Sequence, residues 1–239
     1  MTISPYNVNY IFEAIKNLID VGYISISLNC VYEEGWEIEH AKILYQQLKK
    51  VSDWLFENDA FKKYRISMFN EKLFKPKTEE DTQNWCGGVC NGMLSFDYKG
   101  DAFPCIRYMA SSLNNCREPF SIGNINGLYT TPEEKNRFNL LTSITRQSQS
   151  SEECLSCPVA DGCGWCSAYN YECFGTPNKR ATFFCWTHKA RSLASAYYYN
   201  KGYFLIGENT RVKIYLPEED ALKIISKKEW EELKEYERI

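Results

Sequence analysis

The sequence predicts an α/β first part, a partial (β/α) barrel, followed by a small cysteine-rich α+β domain. Three observations predict this. Residues 1–70 alternate helical and two-residue hydrophobic periods, giving helix, strand, helix, strand, the rhythm of parallel α/β units. Ten of the eleven cysteines lie beyond residue 85, among short strands and Gly-rich turns. The last stretch returns to one strand-like run and a mixed-charge amphipathic helix. The expected divisions are residues 1–84, 85–200 and 201–239.

Of the 239 residues, 44% are hydrophobic and 25% charged, ordinary values for a globular chain. A net charge of −3 gives no reason to expect nucleic acid or an anionic membrane as partner. No run of about 18 apolar residues predicts a membrane span. The N-terminal MTISPYNVNYIFEAIKNL lacks a basic start and an apolar block, so it is not read as a secretory signal. A cytoplasmic protein is therefore expected. In a reducing compartment an odd set of eleven cysteines points to metal or cluster ligation rather than disulfides.

Ser4 and Pro5 form a helix-start signal. Val8, Ile11, Phe12, Ile15, Leu18 and Ile19 follow at helical spacing, and Gly22 can close the helix. In YISISLNCV, Ile24, Ile26, Leu28 and Cys30 face one way and Tyr23, Ser25, Ser27 and Asn29 the other. A second helix is expected from about Ile38 to Phe56, with Ile38, Ala41, Leu44, Leu48, Val51 and Leu55 on one stripe and His40 on the solvated side. YRISMF then sets Tyr64, Ile66 and Met68 against Arg65, Ser67 and Phe69.

In a barrel, Ser25, Ser27, Asn29, Arg65 and Ser67 would face the lumen, where a polar lining suits a small-molecule or cofactor site. The alternative is an open sheet with one wet face. Two strands do not close a barrel, so the first part reads either as the end of one or as a small open sheet. Cys30, on the apolar face, is expected to be a buried structural thiol.

NWCGGVCNGMLSFDYKGDAFPCIRYM reads as a hairpin, with Gly100 free to take positive φ in its turn. Cys86 and Cys90 precede the first strand in a Gly-rich loop. The returning strand folds Cys105 back toward them, giving three members of a four-ligand site whose fourth comes from further along. Cys116, in a polar loop without ligand spacing, is expected to be spare. SIGNINGLY gives another short strand, and Thr131-Pro132-Glu133-Glu134 starts a surface helix.

Cys154, Cys157, Cys163 and Cys166 follow as C-x2-C-x5-C-x2-C. Two C-x2-C pairs five residues apart are tight for one zinc ion, whose paired knuckles are usually separated by about 12–20 residues. Iron–sulfur cubes accept closer spacing, and Cys157-Pro158 matches the Cys-Pro ending of ferredoxin cluster runs, so iron–sulfur is favoured over zinc. His188 lies in a helix-like run after Cys185 and is expected to be a packing or surface residue, with ligation or proton relay as the alternative. RVKIYL is strand-like, and PEEDALKIISKKEWEELKEYERI reads as an amphipathic helix packed on its own domain.

Residues 86–200 resemble the SPASM domain of radical SAM peptide- and protein-maturing enzymes, whose pattern is C-x(9–15)-G-x4-C, a gap, C-x2-C-x5-C-x3-C, a gap and a last Cys. Cys90, nine residues, Gly100, four residues and Cys105 fit its first part, and Cys86 can open it too, with thirteen residues before Gly100. Cys154, Cys157, Cys163, Cys166 and Cys185 fit the second, with x2 in place of x3 before Cys166. GCGWCSAYNYECFGTPNKRATFFCWTHKAR is similar in particular to the maturases of CXXX-repeat peptides. The likeness covers about half the chain in detail, and the helix–strand rhythm before it fits the C-terminal units of a radical SAM TIM-like barrel.

The resemblance implies two auxiliary [4Fe–4S] clusters, one on Cys86, Cys90, Cys105 and Cys166, the other on Cys154, Cys157, Cys163 and Cys185. Cys173 is a candidate substitute, given the departure before Cys166. If only one of Cys86 and Cys90 ligates, the first cluster keeps an open iron for substrate. The resemblance further implies a ribosomal precursor peptide as substrate, and flavodoxin or ferredoxin as electron donor. The family's catalytic C-x3-C-x2-C is absent, since Met93 stands where Cys86-x3-Cys90 would need its third cysteine. S-adenosylmethionine and a third [4Fe–4S] cluster are therefore expected on an N-terminal radical SAM half outside this sequence. The alternatives are a ferredoxin-like electron carrier acting without such a partner and a zinc-stabilised binding module.

Overall fold

The computed structural model describes residues 1–33, 35–77, 86–89 and 92–238, so Cys90 lies outside the described residues. The chain forms two units, each assembled from separate stretches. Residues 1–76, 158–163 and 183–239 make the first, and residues 77–157 and 164–182 the second. Residues 183–239, expected partly as cysteine-rich domain and partly as tail, lie with the first unit.

In the first unit β1 (Thr2–Ile3) leads through a 3-10 turn at Val8–Tyr10 into α1 (Ile11–Asp20). The helix starts later than the Ser4-Pro5 signal suggests. Asn7 Oδ1 accepts from the Ser4 N–H at 2.7 Å, and the Ser4 carbonyl accepts from the N–H groups of Asn7 and Val8, a turn that delays the helix. After β2 (Ser25–Ile26) and β3 (Asn29–Cys30) comes α2 (Ile38–Glu57), then β4 (Arg65–Ile66). Strand β1 pairs in parallel with β3, and β2 with β4. The single strand expected at 23–31 is thus one extended path, flanked by β4 along its first half and by β1 along its second. Among the described residues these are two parallel pairs and no closed barrel.

Burial follows the alternation: Ile26, Leu28, Ile66 and Met68 are buried, while Ser25, Ser27, Asn29, Arg65 and Ser67 are exposed. Two side chains depart. Ile24, before the paired region, is 61% exposed, and Phe69 turns inward to stack on Tyr198 with ring centroids 4.3 Å apart. The stripe Ala41, Leu44, Leu48, Val51 and Leu55 of α2 is buried as its period requires. His40 is not merely solvated. Its Nδ1 accepts from the Glu37 N–H at 3.0 Å, closing a capping box that satisfies an orphan donor of the first turn.

The second unit holds one antiparallel sheet in the order β5 (Ser95–Phe96), β6 (Asp101–Phe103), β7 (Gly123–Asn124), β8 (Gly127–Leu128). Asp97 Oδ1 accepts from the N–H groups of Lys99 and Asp101, and Gly100 takes φ 85°, making the expected β5–β6 turn. SIGNINGLY forms a hairpin rather than one strand. Helix α3 (Pro132–Thr142) opens on a capping box between Thr131 and Glu134, as T-P-E-E predicts. Short helices α4 (Arg146–Gln149) and α5 (Glu152–Leu155) follow, then α6 (Ser167–Phe174). Phe103, Tyr108, Phe120, Ile122, Leu141 and Trp165 centre the core.

The chain then returns to the first unit as α7 (Cys185–Ile206), which packs along α2. Ala190, Ala194, Ser195 and Ala196 are buried, small enough for close approach, and the Tyr197 hydroxyl and Lys201 Nζ both donate to Asp53 Oδ1, at 2.7 and 2.6 Å. RVKIYL is not a strand. Its backbone at Val212 donates to Asn200 Oδ1 (2.8 Å) and accepts from Asn200 Nδ2 (2.9 Å), so a side chain takes the place of a ladder neighbour. The tail helix is broken into α8 (Glu218–Ala221) and α9 (Lys227–Arg238), because Ser226 and Glu229 cap the second helix reciprocally. Trp230 and Leu233 bury α9 within its own unit. No described helix is long and apolar enough to cross a membrane.

Candidate metal centre

Three cysteines of the second unit meet in its core. Strand β6 ends at Phe103 because Pro104 cannot extend the ladder, and Cys105 follows in extended conformation at the start of a 3-10 turn, Ile106–Tyr108. Cys86 begins a turn closed by the Val89 N–H on its carbonyl at 3.2 Å. Within that turn Gly88 leaves a gap. A Cβ there would lie 3.2 Å from Cys105 Sγ and 3.6 Å from Cys86 Sγ. Cys166 caps α6, its Sγ accepting from the Tyr169 N–H at 3.4 Å, and it packs on the same core.

The electrostatics disfavour bare thiolates at Cys105 and Cys166. Burial pushes the Cys105 thiol up to about 11, the Arg107 N–H opposes this, and the neighbouring Cys166 and Cys86 add to the rise. Cys166 is likewise raised, first by burial, while the Arg107 guanidinium pulls the other way. Only a bound cationic centre would let these sulfurs shed their protons together. In metal-free protein near pH 8 Cys105 is held mostly as the thiol. Iodoacetamide should therefore label the exposed Cys116 first and the buried Cys105 more slowly, by about tenfold or more, which mass spectrometry of timed digests checks.

Among the described residues no group of three or more His, Cys, Asp or Glu is arranged to hold a metal ion. Thiolates around one zinc stand about 3.8 Å apart, for a tetrahedron of ~2.3 Å bonds. Ligands at the corners of an iron–sulfur cube are set wider, around a centre of several atoms. Two thiols facing a gap that glycine keeps open, with a third packed on the same core, are a donor set whose chemistry suits a thiolate-ligated centre.

The second expected ligand set is divided between the units. Cys154, in α5, and Cys157 belong to the second, where Arg146 donates to the Cys154 and Leu155 carbonyls at 3.1 and 2.8 Å. Cys163 and Cys185 belong to the first. There residues 158–163 are pinned by backbone hydrogen bonds between Asp161 and both Phe74 and Lys75, and by His188. His188 is buried, with Nε2 2.6 Å from the Val159 carbonyl, so that nitrogen carries the proton and donates. Arg191 stands over Phe74 in the neighbourhood of Cys30, Tyr32 and Cys163, with its Nε buried and without a hydrogen-bond partner. Cys30 is half-buried, and burial pushes its thiol up to about 11.

Cys173 lies in the last turn of α6, about 10 Å along the helix from Cys166. Of the residues expected in a barrel lumen, Ser25, Arg65 and Ser67 line an open cleft of about 490 Å³ with Tyr64, Glu71 and Tyr199. Glu71 accepts from the Tyr199 hydroxyl at 3.0 Å. Its own backbone N–H holds its carboxyl below the usual range, helped by Tyr199, Lys72 and Arg65. Ser27 and Asn29 are exposed and do not line this cleft.

No protein-family model and no curated protein matches the chain. Gly88, Arg107, Tyr108 and Ser167 are the residues around the thiols that sequence reasoning missed. Each sits within three positions of a cysteine, and nearness to the thiols was the signal open to use.

Proposed function

We propose that this chain is the C-terminal part of a radical SAM enzyme that modifies a ribosomally made peptide. It carries two auxiliary [4Fe–4S] clusters, one on Cys86, Cys90, Cys105 and Cys166 and one on Cys154, Cys157, Cys163 and Cys185. The observation that supports the reading is that Cys86 and Cys105 face the gap at Gly88 while Cys166 packs on the same core. Such a cluster supplies one-electron chemistry and, where an iron is left open, a point of attachment for substrate. The chain's own residues do the rest. The thiolates hold the centre, Trp165 and Val89 keep water from it, and the Arg107 guanidinium offsets negative charge at Cys166.

The partners of this reading are a precursor peptide, a flavodoxin or ferredoxin, and a radical SAM half that binds S-adenosylmethionine and a third cluster. Met93 in place of a third C-x3-C-x2-C cysteine favours, as second reading, an electron carrier that works without that half. The test is to give the reconstituted chain S-adenosylmethionine and a strong reductant. S-adenosylmethionine should stay intact, and 5′-deoxyadenosine formed by this chain alone would contradict the assignment of the catalytic cluster elsewhere.

A further inference from the structure

Two buried hydroxyls stand beside the thiols and take no part in the ligand set. Ser167, at the first position of α6, is 1% exposed, and its Oγ lies 3.7 Å from Cys86 Sγ. Tyr108 is fully buried in the core that also holds Cys86, Cys105 and Cys166, and its hydroxyl has no hydrogen-bond partner. A buried, unsatisfied hydroxyl carries the full desolvation cost of its polar group, so its presence here calls for a physical reason. The Ser167 hydroxyl is the polar side-chain group close enough to act on it, though no hydrogen bond within 3.5 Å joins them.

In the metal-free protein either Cys86 or Ser167 can donate across their contact. Ligation removes that choice, because a metal-bound cysteine has lost its proton and only accepts. The Ser167 O–H must then point at Cys86 Sγ, which frees its oxygen lone pairs to accept from Tyr108. We propose that Tyr108 and Ser167 form a hydroxyl chain donating onto Cys86 Sγ, which raises the reduction potential of the cluster held in this unit. The inference rests on the cluster reading above. Its physical basis is that a hydrogen bond to a ligand sulfur withdraws charge from the cluster and stabilises the more negative, reduced state. Both hydroxyls are positioning groups. Neither touches iron.

The test is a redox titration of the reconstituted full chain, following by electron paramagnetic resonance the signal that Cys105→Ala abolishes. Ser167→Ala should lower the one-electron reduction equilibrium constant about tenfold, a potential about 59 mV more negative. Tyr108→Phe should move it the same way by less, Ser167→Thr should keep the parent value, and iron and sulfide contents should not change. Parental potentials in both Ser167→Ala and Tyr108→Phe, with clusters intact, overturn the inference alone. So does a Ser167→Thr potential as low as that of Ser167→Ala, since packing rather than the hydroxyl would then be responsible. If Ser167→Ala loses its cluster, Tyr108→Phe decides by the same criterion. A parent protein without iron and sulfide overturns the cluster reading and this inference together.

Discussion

Cys105→Ala should halve the inorganic content of the reconstituted protein, from about eight irons and eight sulfides to about four of each. Cys105 is 8% exposed and comes straight out of β6, so the sheet fixes its sulfur and no surface loop can swing a substitute into place. Gly88→Val should cause the same loss without removing any ligand. A Cβ at residue 88 already comes within 3.2 Å of Cys105 Sγ and 3.6 Å of Cys86 Sγ, and the two methyls of valine occupy the gap itself. Cys116→Ala, at an exposed thiol, should leave both counts unchanged. Iron and sulfide assays on the three variants read the result, and full loading of Cys105→Ala would remove Cys105 from the ligand set.

The largest expected loss of stability is at Gly123. Its φ is 144°, a conformation that L side chains rarely adopt, and a Cβ there would lie 2.4 Å from the Gly127 carbonyl oxygen and 2.7 Å from Leu128 Cα. Both are backbone atoms of the partner strand, so relief requires moving β8 or abandoning the hairpin. Gly123→Ala should cost about 3 kcal/mol or more, combining backbone strain with overpacking. That lowers the melting temperature of a unit of this size by about 10 °C or more. Because β7 lies beside β6, the damage should reach Cys105 and weaken cluster loading as well. Thermal unfolding of the metal-free protein checks the first part. A melting point within a degree or two of the parent would mean that the β7–β8 hairpin is looser than described.

The contrast between these positions shows what was legible in the sequence. Where one face of one element decides the outcome, the residues announce it. The stripe on α2, the T-P-E-E start of α3 and the alternation through Ile26, Leu28, Ile66 and Met68 all appear as their periods require. Partnerships across long separations were hidden. Nothing local says that residues 25–30 have β4 beside one half and β1 beside the other, or that Asn200 replaces a strand alongside Val212. The break between α8 and α9 was written in Ser226-Lys-Lys-Glu229, a capping signature masked by the continuous amphipathic period around it. At the thiols, the hairpin that turns Cys105 back toward Cys86 was readable from turn chemistry. The place of Cys166 beside them is a long-range fact that came only through family likeness, because C-x2-C spacing alone ties it to Cys163. The hydroxyls of Tyr108 and Ser167 were invisible for the same reason: their burial depends on the packing of the whole unit.

The most direct measurement is the iron, acid-labile sulfide and zinc content of the full chain after anaerobic reconstitution, read alongside the Mössbauer spectrum. Two cubane clusters predict about eight irons and eight sulfides per chain with no zinc. One or two zinc ions with no sulfide would contradict the assignment of Cys86, Cys105 and Cys166 to an iron–sulfur centre, and would make the chain a zinc-stabilised binding module instead.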